Sequence, residues 1–140
     1  MSIPFGATIP FVDHLGFTLE KFEGGHSELH YAPQPEHLNS FDVTHGGAVM
    51  ALLDVVMATA ARSVEPAMGV VTIEMKTSFM RPAKVAAGEH LVARGALEHR
   101  TRSMAFTEGR VYDAASQLCA VSTGTFKYVA RREATGPSTD

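Results

Sequence analysis

One long, largely apolar segment, from His45 to Arg62, most constrains the fold of this chain. Its alanine, leucine and methionine content favours an α-helix, Thr44 or His45 stands where a helix cap is expected, and Pro66 lies beyond the expected end. Such a helix is apolar on nearly its whole circumference, and each exposed Leu, Val or Met would forfeit about 1.5 to 3 kcal/mol of burial. We therefore expect the rest of the chain to wrap around it.

Two-residue periodicity on either side of this segment predicts β-strands. Two short runs, residues 15–23 and 26–31, flank Gly24-Gly25, which has the composition of a tight hairpin turn. Alternation after the helix predicts a strand from Val71 to Phe79. Three further runs follow, at residues 89–99, 102–112 and 117–129. Because short turns connect the last strands, we expect them to be antiparallel neighbours.

These elements together predict an α+β fold in which an antiparallel sheet curls around one central helix. One sheet covers only part of such a helix, so we expect a second copy of the chain to cover the rest. No internal repeat or linker divides the sequence. We therefore expect one domain over residues 1–140, with residues 131–140 as a loose tail.

Composition excludes several classes of protein. With 45% hydrophobic residues among 140, the chain can bury one real core and is not disordered. Its net charge of −3 and scattered basic residues make duplex nucleic acid a poor partner. Cys119 is the one cysteine, which excludes an intrachain disulfide and a cysteine zinc cluster. Without a secretory signal or a segment long enough for a membrane span, a cytoplasmic location is expected.

Asp54 is the residue that the helix pattern does not explain. The positions three and four residues away hold methionine and alanine, so no cation on the helix pairs with it. A carboxylate buried without a partner costs several kcal/mol, and such acids concentrate at active sites. The alternative is a structural acid whose partner, such as Thr72, comes from elsewhere in the fold. Gly47, Ala51 and Ala58 share its helix face, which permits close approach of a second helix or a substrate.

Gly46 and Gly47 begin the helix and expose backbone N–H groups that have no acceptor within it. Combined with Asp54, they suggest acyl transfer, with N–H donors for a developing oxyanion and a carboxylate that activates water or attacks the carbonyl. Eight residues of helix place Gly46 and Asp54 about 12 Å apart, too far to flank one carbonyl. If two helices cross antiparallel, Gly46 of one chain meets Asp54 of the other, which predicts a two-fold homodimer with two composite sites.

Two motifs resemble those of a known family. Asn39 lies six residues before His45-Gly46-Gly47, and Asp54 nine residues after His45, which resembles the signature of the PaaI-like hotdog-fold acyl-CoA thioesterases. The later Ser78-Phe79-Met80-Arg81-Pro82 is similar to the strand-end pattern of that family. The resemblance covers residues 15–129 and implies a hotdog dimer, often paired into a tetramer, that hydrolyses a coenzyme A thioester without a metal or other cofactor.

The resemblance also implies roles for individual residues. Asp54 would be the nucleophile or general base, and the N–H of Gly46 from the partner subunit would polarise the thioester carbonyl. His45 and Asn39 would order the loop or contact the substrate near its sulfur, and Thr72 would help to position water.

Basic residues near the second motif suggest where coenzyme A binds. Arg81 and Lys84 lie just past a strand end, where they could hold the phosphates of coenzyme A; an ordinary solvated turn is the alternative. Gly47 is a further candidate for substrate binding.

Two other functions and one other site remain as alternatives. A hotdog-fold enoyl-CoA hydratase or dehydratase would use a Gly-Asp-x-Asn-Pro-x-His motif, which this sequence lacks. A non-catalytic acyl-CoA-binding protein is the second alternative. His26, Glu28 and His30 share one face of a strand and could bind a metal, although a solvated strand face is the simpler interpretation.

Overall fold

The computed structural model describes residues 2–131 as one six-stranded antiparallel sheet with a long helix packed against it. The elements in chain order are α1 (Pro10–Leu15), β1 (Thr18–Glu23), β2 (His26–Tyr31), α2 (Gly46–Arg62), β3 (Met68–Phe79), β4 (Leu91–Arg100), β5 (Met104–Tyr112) and β6 (Leu118–Ala130). The strand order is β1-β2-β4-β5-β6-β3, and every neighbouring pair is antiparallel. No helix within residues 2–131 has the length and hydropathy needed to cross a membrane.

The predicted α+β architecture is confirmed, and β2 has the predicted bounds. The strand predicted for residues 15–23 begins instead at Thr18, because Pro10 starts a short helix that Gly16 ends in the left-handed conformation, at φ 79°. Of the predicted tail, residues 132–140 lie outside the described part of the chain.

Helix α2 contacts all six strands, and one side of it forms the centre of the hydrophobic core. Its largest fully buried side chains are all apolar: Val49, Leu52, Leu53, Val56 and Met57. Glycines in the sheet allow this close approach. A Cβ at Gly95 would overlap the carbonyl oxygen of Val56 and lie 2.6 Å from Ser27 Oγ. The Ser27 hydroxyl in turn donates to that carbonyl over 2.5 Å, which fixes the helix on the sheet.

The opposite side of α2 is only partly covered. Gly47 is exposed, while Ala51, Asp54 and Ala58 are intermediate in exposure. Strand β3 lies at the edge of the sheet and pairs with β6 alone among residues 2–131. Its apolar side chains at Val71 and Ile73 are 45% and 53% exposed. The predicted small-residue face and an apolar sheet edge therefore lie at the surface of a single chain.

Replacing Gly95 by alanine tests the close packing of α2 on the sheet. We expect Gly95→Ala to lower the free energy of unfolding by about 3 kcal/mol, because the new methyl group meets fixed backbone. Gly69→Ala is the matched control, since its Cβ would lie 3.6 Å from the nearest atom, an ordinary contact. Urea denaturation measures both variants. Equal stability of the two would contradict this account of the helix position.

Candidate functional site

The start of α2 leaves one backbone donor free. The Gly47 N–H donates to His45 Nδ1 over 2.8 Å, so His45 is the helix cap. The N–H groups of Ala48 and Val49 both donate to the His45 carbonyl, over 2.9 and 3.1 Å. The Gly46 N–H has no acceptor among residues 2–131. Since the positive end of the helix dipole lies here, this free N–H is suited to polarise a carbonyl oxygen.

Asp54 finds its partner on strand β3. The Thr72 hydroxyl donates to Asp54 Oδ1 over 2.6 Å, a short charge-assisted hydrogen bond. Asp54 Oδ2 accepts no hydrogen bond within the described residues. The carboxylate therefore keeps one oxygen free to accept a proton from water. The pairing with Thr72 is the contact that the structural-acid alternative predicted for Asp54.

Asn39 orders the loop that precedes α2. Its Oδ1 accepts from the N–H groups of Phe41 and Val43, over 2.8 and 3.3 Å. Its own N–H donates to the Val43 carbonyl over 2.8 Å, and Asp42 takes a positive φ of 59° within the turn. The side chain of Asn39 thus closes the turn between the 3₁₀ segment Pro35–His37 and the helix.

A cavity of about 350 Å³ lies beside the start of α2, between the helix, the ends of β3 and β6 and the loop from Asn39. Asn39, Gly46 and Arg81 all line it. Most of the remaining lining is apolar, contributed by Val43, Val49, Phe79, Met80, Pro82, Ala83 and Ala120. A mainly apolar cavity with a few polar groups is the usual form of a small-molecule site.

The structure brings some predicted site residues together and separates others. Asn39, Gly46 and Arg81 share the large cavity, and Thr72 contacts Asp54. Lys84 instead lines a smaller cavity of about 150 Å³. Within one chain, Gly46 and Asp54 lie on the same continuous helix, about 12 Å apart along its axis.

Two further residues clarify the alternatives. The Glu28 carboxylate accepts hydrogen bonds from His30 and Arg94, over 2.8 and 3.0 Å. Burial acts to raise the pKa of Glu28, but these two partners together lower the pKa below its usual value. No cluster of three or more metal-ligating side chains occurs in residues 2–131. Cys119 is buried, and this burial raises the pKa of its thiol, so we expect the cysteine to be unreactive.

Thr44 is the residue whose importance the sequence does not reveal. The sequence suggests it only as a helix cap, a role that His45 takes. Thr44 is 5% exposed, and its hydroxyl is enclosed without a hydrogen-bond partner beside the large cavity. Local sequence patterns do not reveal that Thr44 lines this cavity, because tertiary packing determines the lining.

Comparisons with known proteins identify the family of this chain and agree with its fold. Residues 41–120 match the model of the thioesterase superfamily, a region that spans α2 and the site residues from His45 to Lys84. A predicted esterase of Saccharolobus solfataricus is 29% identical over 112 residues, which are 80% of this chain and 73% of that protein.

Solved structures show the same architecture. A variant of PaaI from Thermus thermophilus, a phenylacetic acid degradation protein, is 26% identical with a TM-score of 0.76, and the match covers 86% of this chain and 100% of that one. A Streptococcus mutans protein solved with acetyl-CoA bound is 23% identical with a TM-score of 0.74, and the match covers 83% of this chain and 90% of that one.

Proposed function

Because this chain belongs to the thioesterase superfamily and has the hotdog fold of PaaI-like proteins, as its motifs indicated, we propose that it hydrolyses acyl-CoA thioesters to a free acid and coenzyme A. The observation that carries this proposal is the uncovered face of α2, which presents Asp54 with a free carboxylate oxygen. Acetyl-CoA in the Streptococcus mutans protein of the same fold makes coenzyme A thioesters the class to test.

In the proposed reaction Asp54 is a general base. Its free oxygen accepts a proton from water while the water oxygen bonds to the thioester carbonyl carbon. The Gly46 N–H donates to the carbonyl oxygen as negative charge develops there. The carbon–sulfur bond then breaks, the acid is released, and the proton passes from Asp54 to the thiolate of coenzyme A. Thr72 holds the carboxylate through its 2.6 Å hydrogen bond and so orients the free oxygen.

The Asp54 carboxylate and the Gly46 N–H act on one carbonyl only if they come from different chains. About 12 Å of helix separates them within a chain, and an aspartate side chain spans a few ångströms. A two-fold dimer in which the uncovered faces of two α2 helices meet would place Asp54 beside Gly46 of the partner subunit, twice per dimer. The exposed Val71 and Ile73 on the edge strand supply apolar surface for the same contact. Pairing of two dimers into a tetramer is part of the proposal.

The remaining site residues would support binding. Asn39 orders a loop beside the cavity, and Arg81, which lines the same cavity, would meet a phosphate of coenzyme A. Lys84, in a separate cavity, would reach only a more distant phosphate. The proposed reaction needs no metal or further cofactor. The absence of a cofactor and the cytoplasmic location both stay predictions from the sequence.

Asp54→Asn tests the general base directly. Asparagine keeps the shape and can still accept from Thr72, but it cannot take a proton from water. We expect the variant to keep its fold and lose at least ~100-fold in kcat/KM, measured as thiol release from a panel of acyl-CoAs. Asp13→Asn, at an exposed position of α1, is the matched control.

Undiminished turnover by Asp54→Asn would remove Asp54 from the mechanism. Crotonyl-CoA in the same panel tests the hydratase alternative, because a hydratase would remove its enoyl absorbance without releasing thiol.

Gly46→Pro tests the N–H donor without removing the helix. Gly46 is the first residue of α2, where proline is well tolerated, and His45 has the extended φ and ψ, −58° and 137°, that a following proline requires. We expect a loss of about 100- to 1,000-fold in kcat, the range for deleting one oxyanion donor. Gly46→Ala, which keeps the N–H and whose Cβ would lie 3.6 Å from Phe79, should be at least tenfold more active than Gly46→Pro. Equal rates for the two variants would contradict the assigned role.

A further inference from the structure

A buried hydrogen bond joins the sheet to the loop that precedes α2. Tyr31, the last residue of β2, and His37 are both buried, and the Tyr31 hydroxyl lies 2.8 Å from His37 Nδ1. The Gln34 N–H also donates to His37 Nδ1, over 3.1 Å, so this nitrogen carries no proton and the tyrosine hydroxyl is its second donor. Burial raises the pKa of Tyr31 to about 12, which keeps the hydroxyl protonated.

The other ring nitrogen of His37 indicates that this residue serves more than stability. Its Nε2 is enclosed and has no hydrogen-bond partner among residues 2–131. A buried polar atom without a partner lowers stability, so native proteins rarely keep one without a reason. The reason that the structure offers is the contact of Nδ1 with Tyr31, which an apolar side chain at this position could not make.

The backbone of His37 continues this connection to the start of α2. Its carbonyl accepts from the His45 N–H over 2.9 Å, and Leu38 forms an antiparallel bridge with Thr44 between the same two segments. His45 is the cap residue of α2. The Gly46 N–H belongs to the same planar peptide unit as the His45 carbonyl, so the orientation of His45 sets the direction of this free donor.

We propose that Tyr31 and His37 are positioning residues for the oxyanion donor, because they hold the Gly46 N–H in the direction of the thioester carbonyl. This inference rests on the proposed function, since it takes that N–H to act on a developing oxyanion. In this role neither side chain needs to touch the substrate, and both act through the backbone of His45. An oxyanion donor is effective when it is fixed before the charge develops, so a loop that is free to move would weaken it.

Tyr31→Phe tests the inference, because it removes the hydroxyl and keeps the ring that packs edge-on against Phe17. We expect kcat for acyl-CoA hydrolysis to fall about tenfold, because the donor is then less well fixed. KM should stay close to the wild-type value, since the Gly46 N–H is assigned to the transition state and not to substrate binding. Thiol release over a range of acyl-CoA concentrations measures both constants.

Tyr128→Phe is the matched control, because the Tyr128 hydroxyl donates to the Ala61 carbonyl, over 2.7 Å, at the other end of α2. Both tyrosines are buried, so each variant loses one buried hydrogen bond and should have a Tm lower by a few degrees. The control should keep the wild-type kcat. An equal loss of kcat in the two variants would mean that both act through stability, which would overturn the inference.

A double variant shows whether the Tyr31 hydroxyl acts through the Gly46 N–H. In the Gly46→Pro background this donor is absent, so Tyr31→Phe should cause no further loss of kcat. A merely structural hydroxyl would reduce kcat by the same factor in both backgrounds. Such additive losses, or an unchanged kcat in Tyr31→Phe alone, would overturn the inference.

Nuclear magnetic resonance of the Gly46 amide separates this inference from the proposed function. The chemical shifts of its proton and nitrogen should change in Tyr31→Phe and stay as in wild type in Tyr128→Phe. This pattern in a protein that hydrolyses no acyl-CoA would refute the proposed function alone, since Tyr31 would still be shown to position the donor. Unchanged Gly46 shifts in Tyr31→Phe would overturn the inference whether or not the protein is active.

Discussion

The structure depends on the need to cover a helix that is apolar on most of its circumference. Strands from the whole chain pack against α2, and glycines such as Gly95 let the sheet approach its backbone closely. One sheet cannot enclose a helix completely, and the face that remains carries small residues and Asp54. The same geometric limit therefore leaves a carboxylate accessible and leaves an apolar surface for a second chain, so that the proposed site and the proposed dimer have one physical origin.

The proposed chemistry at the start of α2 depends on which of its first backbone N–H groups already have a hydrogen-bond acceptor. His45 satisfies three of them through its ring and its carbonyl, which leaves the Gly46 N–H as the free donor. Asn39 closes the loop that precedes α2, and this loop holds the start of the helix beside the cavity. The free Gly46 N–H belongs to a residue that lines this cavity, so a carbonyl oxygen bound there would supply the acceptor that the chain does not.

Much of the fold could be predicted from the sequence because its periodicities are strong. The apolar run predicted α2, and Gly24-Gly25, both with positive φ, marked the β1–β2 hairpin. Helix α1 was missed because its six residues are too few to show a helical period. The unusual aspartate was visible in the sequence, and its pairing with Thr72 was one expected alternative. The separate cavity of Lys84 and the unpaired Thr44 hydroxyl depend on tertiary packing, which local patterns do not encode.

The composite site is the central claim, and heterodimers test it most directly. Co-expression with two different tags allows isolation of a dimer with Gly46→Pro in one chain and Asp54→Asn in the other. If the groups act across the interface, one intact site remains and the heterodimer should have about half the wild-type rate, whereas a wild-type chain paired with the Gly46→Pro/Asp54→Asn double variant should be inactive. The reverse result, an inactive first heterodimer and a half-active second one, would show that both groups act within one chain.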